Sequence, residues 1–110
     1  MAVYANLTID QGSDFSSTIF VTNNQGDILD LTLYTTRAQI RKTFASTTSI
    51  DFIASILNPT EGKIQIKLTN AVSALMKSGR YVYDVEIISD SDIVTRVVEG
   101  QVDVTPNVSR

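Results

Sequence analysis

The strongest pattern in the chain is a strict alternation of two sets of side chains over residues 79–88. Tyr81, Tyr83, Val85 and Ile87 fall on one face of an extended chain, and the other face carries two acidic residues. Successive side chains of a β-strand point to opposite faces of its sheet, so this period predicts a strand with one buried side. Aromatic and β-branched residues give it the largest apolar surface of any short window here. We therefore predict a central strand on which the others assemble.

Similar alternation predicts further strands along the chain. They cover residues 3–10, 15–22, 36–44, 50–57, 63–68 and 93–105, separated by polar turn residues. Residues 63–68 have the cleanest pattern, as in an antiparallel sheet with one solvated side. The inward set of the second strand is ambiguous, and we favour Ile19 and Val21 with Phe15 beside them.

Residues 69–77 change to a helical period. Three apolar residues lie three and four positions apart: Val72, Leu75 and Met76. Thr69 or Asn70 can cap the start, and Gly79 supplies a stop. The pattern predicts one short helix that bridges two strands.

The last predicted strand is long and contains a glycine near its middle. Val98, Gly100, Val102 and Val104 share one face. A glycine inside a strand often marks a bulge, so we predict that the strand bends at Gly100.

Seven to eight short strands with one helix predict an all-β fold, an immunoglobulin-like antiparallel β-sandwich. The chain has no cysteine and no tryptophan, so the comparison with immunoglobulins concerns architecture only. We expect a single domain over residues 1–110, with residues 1–6 as an N-terminal arm and residues 106–110 as a tail. Two facing sheets would bury Ile19, Val21, Ile40, Phe52, Ile56, Ile64, Ile66, Leu68, Tyr81, Tyr83, Val85, Ile87, Val102 and Val104.

The absence of cysteine and histidine limits the reactions that the chain could catalyse and the metals that it could bind. Without cysteine or histidine the chain lacks a thiolate nucleophile, the usual general base at neutral pH and the commonest zinc ligands. Asp90 and Asp92 form a D-x-D pair that could hold calcium, but no third acid lies nearby and a solvated turn is the favoured interpretation. Asp84 and Glu86 are likewise interpreted as solvated acids on one strand face. We expect no enzymatic activity, no metal and no cofactor.

Net charge and hydropathy indicate which classes of partner to expect. Nine Lys and Arg against twelve Asp and Glu give a formal net charge of −3, with no basic run. Phosphate-driven binding of nucleic acid is therefore not expected. No signal peptide and no window of about eighteen apolar residues is present, so we expect a soluble protein made in the cytoplasm, with no membrane partner.

Two sets of residues are candidates for protein contacts. A positive strand face could pair with an acidic strand face on a neighbouring copy, and the N-terminal arm offers two apolar residues. The candidate interface residues are Val3, Tyr4, Arg37, Arg41, Asp84 and Glu86.

Four aromatic residues have no evident place in the core: Tyr4, Phe20, Tyr34 and Phe44. A row of exposed aromatic side chains could stack on sugar rings, so a host-surface glycan-binding module is the alternative function. The sequence shows no concave aromatic platform with convergent polar groups, and assembly is favoured.

The order of several motifs resembles a known family. The motifs are residues 7–15 (LTIDQGSDF), 24–32 (NQGDILDLT), 62–64 (GKI) and 79–85 (GRYVYDV). Together they resemble the small immunoglobulin-like domains of tailed-bacteriophage virions, similar to the N-terminal domain of phage baseplate upper proteins and to small structural proteins of cyanobacterial and marine phages.

The resemblance implies a structural protein of the virion, present in many copies, likewise without catalysis. Its partners would be other phage structural proteins and further copies of itself. Baseplate upper proteins continue into a long C-terminal part, whereas this chain ends at Arg110. We therefore expect an accessory piece of the tail or baseplate, or a decoration of the capsid.

Overall fold

Two sheets pack face to face, and their strands are those that alternate along the sequence. The structure is a computed structural model that describes residues 3–23 and 25–108. The strands are β1 (Val3–Tyr4), β2 (Leu7–Asp10), β3 (Phe15–Phe20), β4 (Thr35–Arg41), β5 (Ile50–Asp51), β6 (Ile53–Asn58), β7 (Lys63–Leu68), β8 (Gly79–Ile88) and β9 (Val94–Thr105). One helix, α1 (Asn70–Leu75), and a 3-10 turn (Pro59–Glu61) complete the elements.

The larger sheet has the order β1-β9-β8-β4-β5, with β2 also beside β9, and the smaller sheet has the order β3-β7-β6. The predicted immunoglobulin-like β-sandwich is thereby confirmed. One feature differs from a purely antiparallel arrangement, because β1 and β2 run parallel to β9. The other pairings between the described strands are antiparallel.

β8 is the central strand of the larger sheet, as its sequence predicts. It lies between β9 and β4, and Tyr81, Tyr83, Val85 and Ile87 are all buried. These side chains face the smaller sheet, where β7 buries the apolar half of its own alternation. The two cleanest alternating patterns of the sequence therefore supply the two halves of the core.

Three aromatic rings connect the two sheets through the interior. Phe15 of β3 lies 6.0 Å from Phe52, centroid to centroid, and Phe52 lies 6.2 Å from Tyr83 of β8. Phe52 stands between β5 and β6, at the point where the chain leaves the larger sheet for the smaller one. Its backbone N–H donates to the Ala38 carbonyl at 3.0 Å, which holds this crossing against β4.

The predicted core is largely correct. Ile19 and Ile56 are only half-buried, although both pack against the core, and the other predicted residues are buried. The predicted core set omitted five apolar side chains that are buried in the structure: Ile9, Leu31, Ala38, Met76 and Val98. Leu31 and Met76 lie outside the strands, where a period of two gives no information. Leu31 is held in place because its N–H donates to the Pro59 carbonyl at 2.7 Å.

The helix is confirmed in place but is shorter than its pattern suggests. The Thr69 side chain caps it by accepting from the Val72 N–H. Met76 is buried, but Leu75 is 86% exposed, because the helix ends there and the next residue is already extended. Gly79 is not the helix stop; it opens β8 with a φ of 137°.

A tyrosine fixes the connection between the helix and β8. The Tyr81 hydroxyl donates to the Lys77 carbonyl at 2.8 Å. A tyrosine at this corner, with its hydroxyl bonded to the backbone a few residues upstream, is a recurrent feature of immunoglobulin-like sandwiches. Tyr81 therefore contributes both to the core and to the entry of β8.

The first and the last segments that the structure describes lie next to β9. In the segment predicted as an arm, Val3 and Tyr4 pair with Val98 and Glu99 of β9, while residues 1 and 2 lie outside the described residues. The predicted tail follows β9 directly, and its residues 109 and 110 also lie outside the described residues.

Candidate functional site

The outer face of the larger sheet concentrates charge. The alternation that turns Ala38 and Ile40 inward turns the intervening residues of β4 outward, beside the outward residues of β8 and β9. We call this surface the charged face. It forms a shallow groove of about 350 Å³, and its polar residues are Arg37, Gln39, Arg41, Asp84, Glu86, Arg96 and Glu99.

The charges on this face pair with one another within one chain. Arg37 stands opposite Glu86 in the register of β4 and β8, and its Nε lies 2.6 Å from Glu86 Oε1. Arg96 Nε lies 3.3 Å from Asp84 Oδ2. The sequence hypothesis placed the Arg37 and Glu86 faces on separate copies, whereas the structure brings them together in the same sheet. Exposed pairs of this kind contribute about 0–1 kcal/mol each.

Arg41 shapes the loop that follows β4. Its guanidinium donates to the Ser46 carbonyl at 2.7 Å and to Gln39 Oε1 at 3.2 Å. The loop carries Phe44, which is 83% exposed and borders the groove. Arg41 is thus occupied with its own chain.

Burial raises the pKa of Asp84, and the neighbouring Glu86 carboxylate raises it further. The guanidinium groups of Arg96 and Arg37 oppose this shift of the pKa. Since each of these carboxylates has a guanidinium beside it, the arrangement is a satisfied charge network.

A β-bulge brings Arg96 onto the charged face. Val85 pairs with Val98, but the next residue of β8, Glu86, pairs with Arg96, so Val97 is an extra residue in β9. The sequence prediction placed the bulge at Gly100, and this is wrong. The bulge lies three positions earlier, and Gly100 has a different role.

Gly100 is required because the N-terminal chain crosses directly over it. A Cβ at this position would overlap the Ala5 carbonyl oxygen and lie 2.7 Å from the carbonyl carbon. The crossing is held by the Ala5 N–H, which donates to the Glu99 carbonyl, and by Asn6 Oδ1, which accepts from the Gln101 N–H. Because Gly100 has no side chain, residues 5 and 6 can pass close to it, and β1 and β2 pair with β9 on either side of this crossing.

Tyr83 stabilises the same crossing through a hydrogen bond. It stands opposite Gly100 in the register of β8 and β9, and its hydroxyl donates to the Ala5 carbonyl at 2.7 Å. Burial, with a smaller contribution from nearby Tyr4, raises the pKa of Tyr83 to about 12. The neutral hydroxyl is the form that donates this bond.

This pKa predicts a loss of stability at high pH. The folded-state pKa of Tyr83 lies above the usual tyrosine value of about 10. The contribution of its neutral hydroxyl to the free energy of unfolding is therefore complete below pH ~10 and is lost as the pH rises through about 12. Tyrosinate absorbance of the folded chain should contain a component with a midpoint near pH 12. The component should be missing from Tyr83→Phe, and its persistence in that variant would contradict the assignment.

A second surface lies between the outermost strands of the two sheets. The side of β3 that faces away from β7, which we call the β3 edge, lies across a gap from β1 and the bulged part of β9. We call this gap the apolar opening. Its volume is about 620 Å³, and its apolar lining includes Val3, Leu7, Ile19, Phe20, Leu29, Tyr34 and Val97.

Exposed apolar side chains surround this opening. Val3 is 62% exposed and Phe20 is 60% exposed, and Tyr4 next to Val3 is 63% exposed. Clustered exposed apolar residues are typical of surfaces that bind another protein. Val3 and Tyr4, proposed from the sequence as interface residues, thus lie beside a gap that the sequence did not reveal.

The four aromatic residues considered for glycan binding do not share one surface. Phe20 and Tyr34 line the apolar opening, whereas Phe44 borders the charged face.

Asp90 and Asp92 are exposed in a turn where the Ser89 hydroxyl accepts from backbone N–H groups.

Within residues 3–23 and 25–108, no group of three or more acidic residues could hold a metal ion. Over the same described ranges, no helix has the length and apolarity needed to cross a membrane.

No protein family and no curated protein matches the chain. Among solved structures it is similar to the internalin-like protein lmo2027 of Listeria monocytogenes, with a TM-score of 0.47 and 14% sequence identity. The match covers 96% of this chain and 28% of that chain, so this chain spans less than a third of that structure.

Proposed function

We propose that this chain is a non-enzymatic structural component of a bacteriophage virion, in the tail, the baseplate or the capsid surface, and that it acts through protein–protein contacts. The observation that carries the proposal is the apolar opening next to the β3 edge, which pairs with none of the strands that the structure describes. A strand edge and an apolar gap on the same side of the molecule form a surface suited to another protein chain.

The charged face supports a role in assembly rather than catalysis. Its carboxylates are engaged by Arg37 and Arg96, and Arg41 is bound to its own loop. The resemblance of the motif order to virion domains supports the particle as the location, with synthesis in the host cytoplasm.

The proposal is tested by searching for the chain in purified particles. Particles from the source that encodes it would be banded in a density gradient, digested with trypsin and analysed by mass spectrometry. Residues 81–96 form one tryptic peptide that ends at Arg96 and contains most of the central strand.

We expect this peptide in the particle band, at a constant ratio to the major capsid protein across the gradient. A nuclease-treated and salt-washed band serves as the control against adhering cell protein. Recovery of the peptide only from the soluble fraction of the lysate would overturn the proposal.

A further inference from the structure

The outermost strands differ in how well they are protected against pairing with another chain. β5 has only two residues, and the edge formed by β1 and β2 is interrupted where the chain steps over Gly100. β6 has a register shift against β7 between Ile56 and Asn58 and is followed at once by Pro59. Short length, interruption, bulges and proline are the usual means by which proteins prevent edge-to-edge pairing.

β3 has none of these protections. Its six residues pair with β7 without a break, from Phe15 opposite Leu68 to Phe20 opposite Lys63. The strand contains no charged residue, no glycine and no proline. Among the strands that the structure describes, β7 is its only neighbour in the sheet.

The backbone groups on the β3 edge can be assigned from the hydrogen bonds at its end. The Val21 N–H donates to the Gly62 carbonyl at 2.8 Å, on the side where β7 lies. Backbone direction alternates along a strand, so the residues in even positions direct their N–H and C=O groups away from β7. These residues are Ser16, Thr18 and Phe20.

We infer that the β3 edge pairs antiparallel with the β3 edge of a second copy of this chain about a two-fold axis, joining the two smaller sheets into one. The inference rests on the proposed function, since it names the partner at the same surface. A two-fold contact must be self-complementary. Pairing centred on Thr18 sets Thr18 opposite Thr18 of the second copy, and Ser16 opposite Phe20 of the second copy.

The charge pattern favours a second copy over a charged partner strand. Like charges directly opposite each other destabilise a strand pair, and an uncharged strand such as β3 avoids this in any self-pairing. The contact would also cover Phe20, which packs across the joined sheet towards Ser16 of the second copy. The apolar openings of the two copies would then face each other across the same axis.

A charge placed at Thr18 tests the inference, because the two-fold axis sets this residue against itself. Thr18→Lys and Thr18→Glu each place like charges opposite one another, and either change should weaken the dimer by at least ~10-fold. Both residues are compatible with the exposed outer face of β3. A mixture of the two variants places Lys opposite Glu and should restore the mass of a dimer.

Ser55→Lys is the matched control. Ser55 lies on β6 and, like Thr18, stands opposite Gln65 of β7, so the two residues occupy equivalent positions at opposite edges of one sheet. The control should leave the dimer unchanged. Circular dichroism and thermal unfolding would establish that all three variants fold.

The measurement is molar mass by light scattering behind a sizing column, over a series of concentrations of the full chain. Wild type and Ser55→Lys should approach twice the mass of one chain, while Thr18→Lys and Thr18→Glu remain at the mass of one chain until mixed. A wild type that is monomeric at millimolar concentration, or a folded Thr18→Lys that remains dimeric, overturns the inference. A monomeric chain still found in particles would leave the proposed function standing, and a dimer absent from particles would remove the proposed function alone.

Discussion

Replacing Gly100 with alanine should lower the free energy of unfolding by about 2–4 kcal/mol. The added Cβ would overlap the Ala5 carbonyl oxygen and would also lie 3.2 Å from Asn6 Oδ1. The obstructing groups are backbone atoms and a side chain held by Gln101, which cannot move aside as the end of a flexible side chain could. Moving this segment would also break the hydrogen bond from Tyr83 to Ala5. Urea denaturation followed by fluorescence or circular dichroism measures the effect.

Gly26→Ala is the matched control for this substitution. Gly26 has a positive φ of 84°, but nothing lies within 4 Å of the position that its Cβ would take. The control therefore introduces backbone strain alone, and we expect a cost of about 1 kcal/mol. Equal losses for the two variants would show that the chain does not cross over Gly100. Hydrogen exchange at the Ala5 N–H would show whether the crossing has been released.

The strands and the core followed from the sequence where a period of two continues without interruption. β8 and β7 are the best examples, since every apolar residue in their alternation that was predicted to be buried is buried. Thr69 likewise has a recognisable role because its capping contact is local in sequence. Short-range patterns of this kind are independent of how distant segments meet.

The composition of the charged face was only partly predictable. Arg37 and Glu86 were both identified as outward residues, but their pairing depends on the register between β4 and β8, which the sequence does not reveal. Arg96 was missed for another reason. Strict alternation groups it with Val98 and Gly100, and the extra residue at Val97 turns it to the opposite face.

The role of Gly100 likewise could not be predicted from the sequence. A glycine in a strand is compatible with a bulge or with the close approach of another segment, and the sequence does not distinguish the two. The segment that approaches here lies about ninety-five residues earlier, at Ala5 and Asn6, as the bond from the Gln101 N–H to Asn6 shows. Contacts over such a separation require the topology, and for this reason the apolar opening beside β1 was not foreseen either.

Truncating Ile64 to alanine should cost about 2–5 kcal/mol, a large part of the stability of an ordinary domain. Ile64 is completely buried in β7, the middle strand of the smaller sheet. Its register partners are Ile19 on β3 and Ile56 on β6, so the lost methyl groups would leave a cavity between three strands. Urea denaturation should show a lower midpoint with an unchanged slope, because the surface exposed on unfolding hardly changes.

Ile53→Ala removes the same atoms from the other face of the same sheet. Ile53 is 53% exposed on β6, and we expect its truncation to cost less than about 1 kcal/mol. The difference between the two variants tests the register directly, since a slip of one residue would exchange the buried and exposed faces of a strand. Equal losses in the free energy of unfolding would contradict the burial of one face of the smaller sheet and the exposure of the other. A large difference would establish that Ile64 faces the core and that Ile53 faces away from it, as the structure has them.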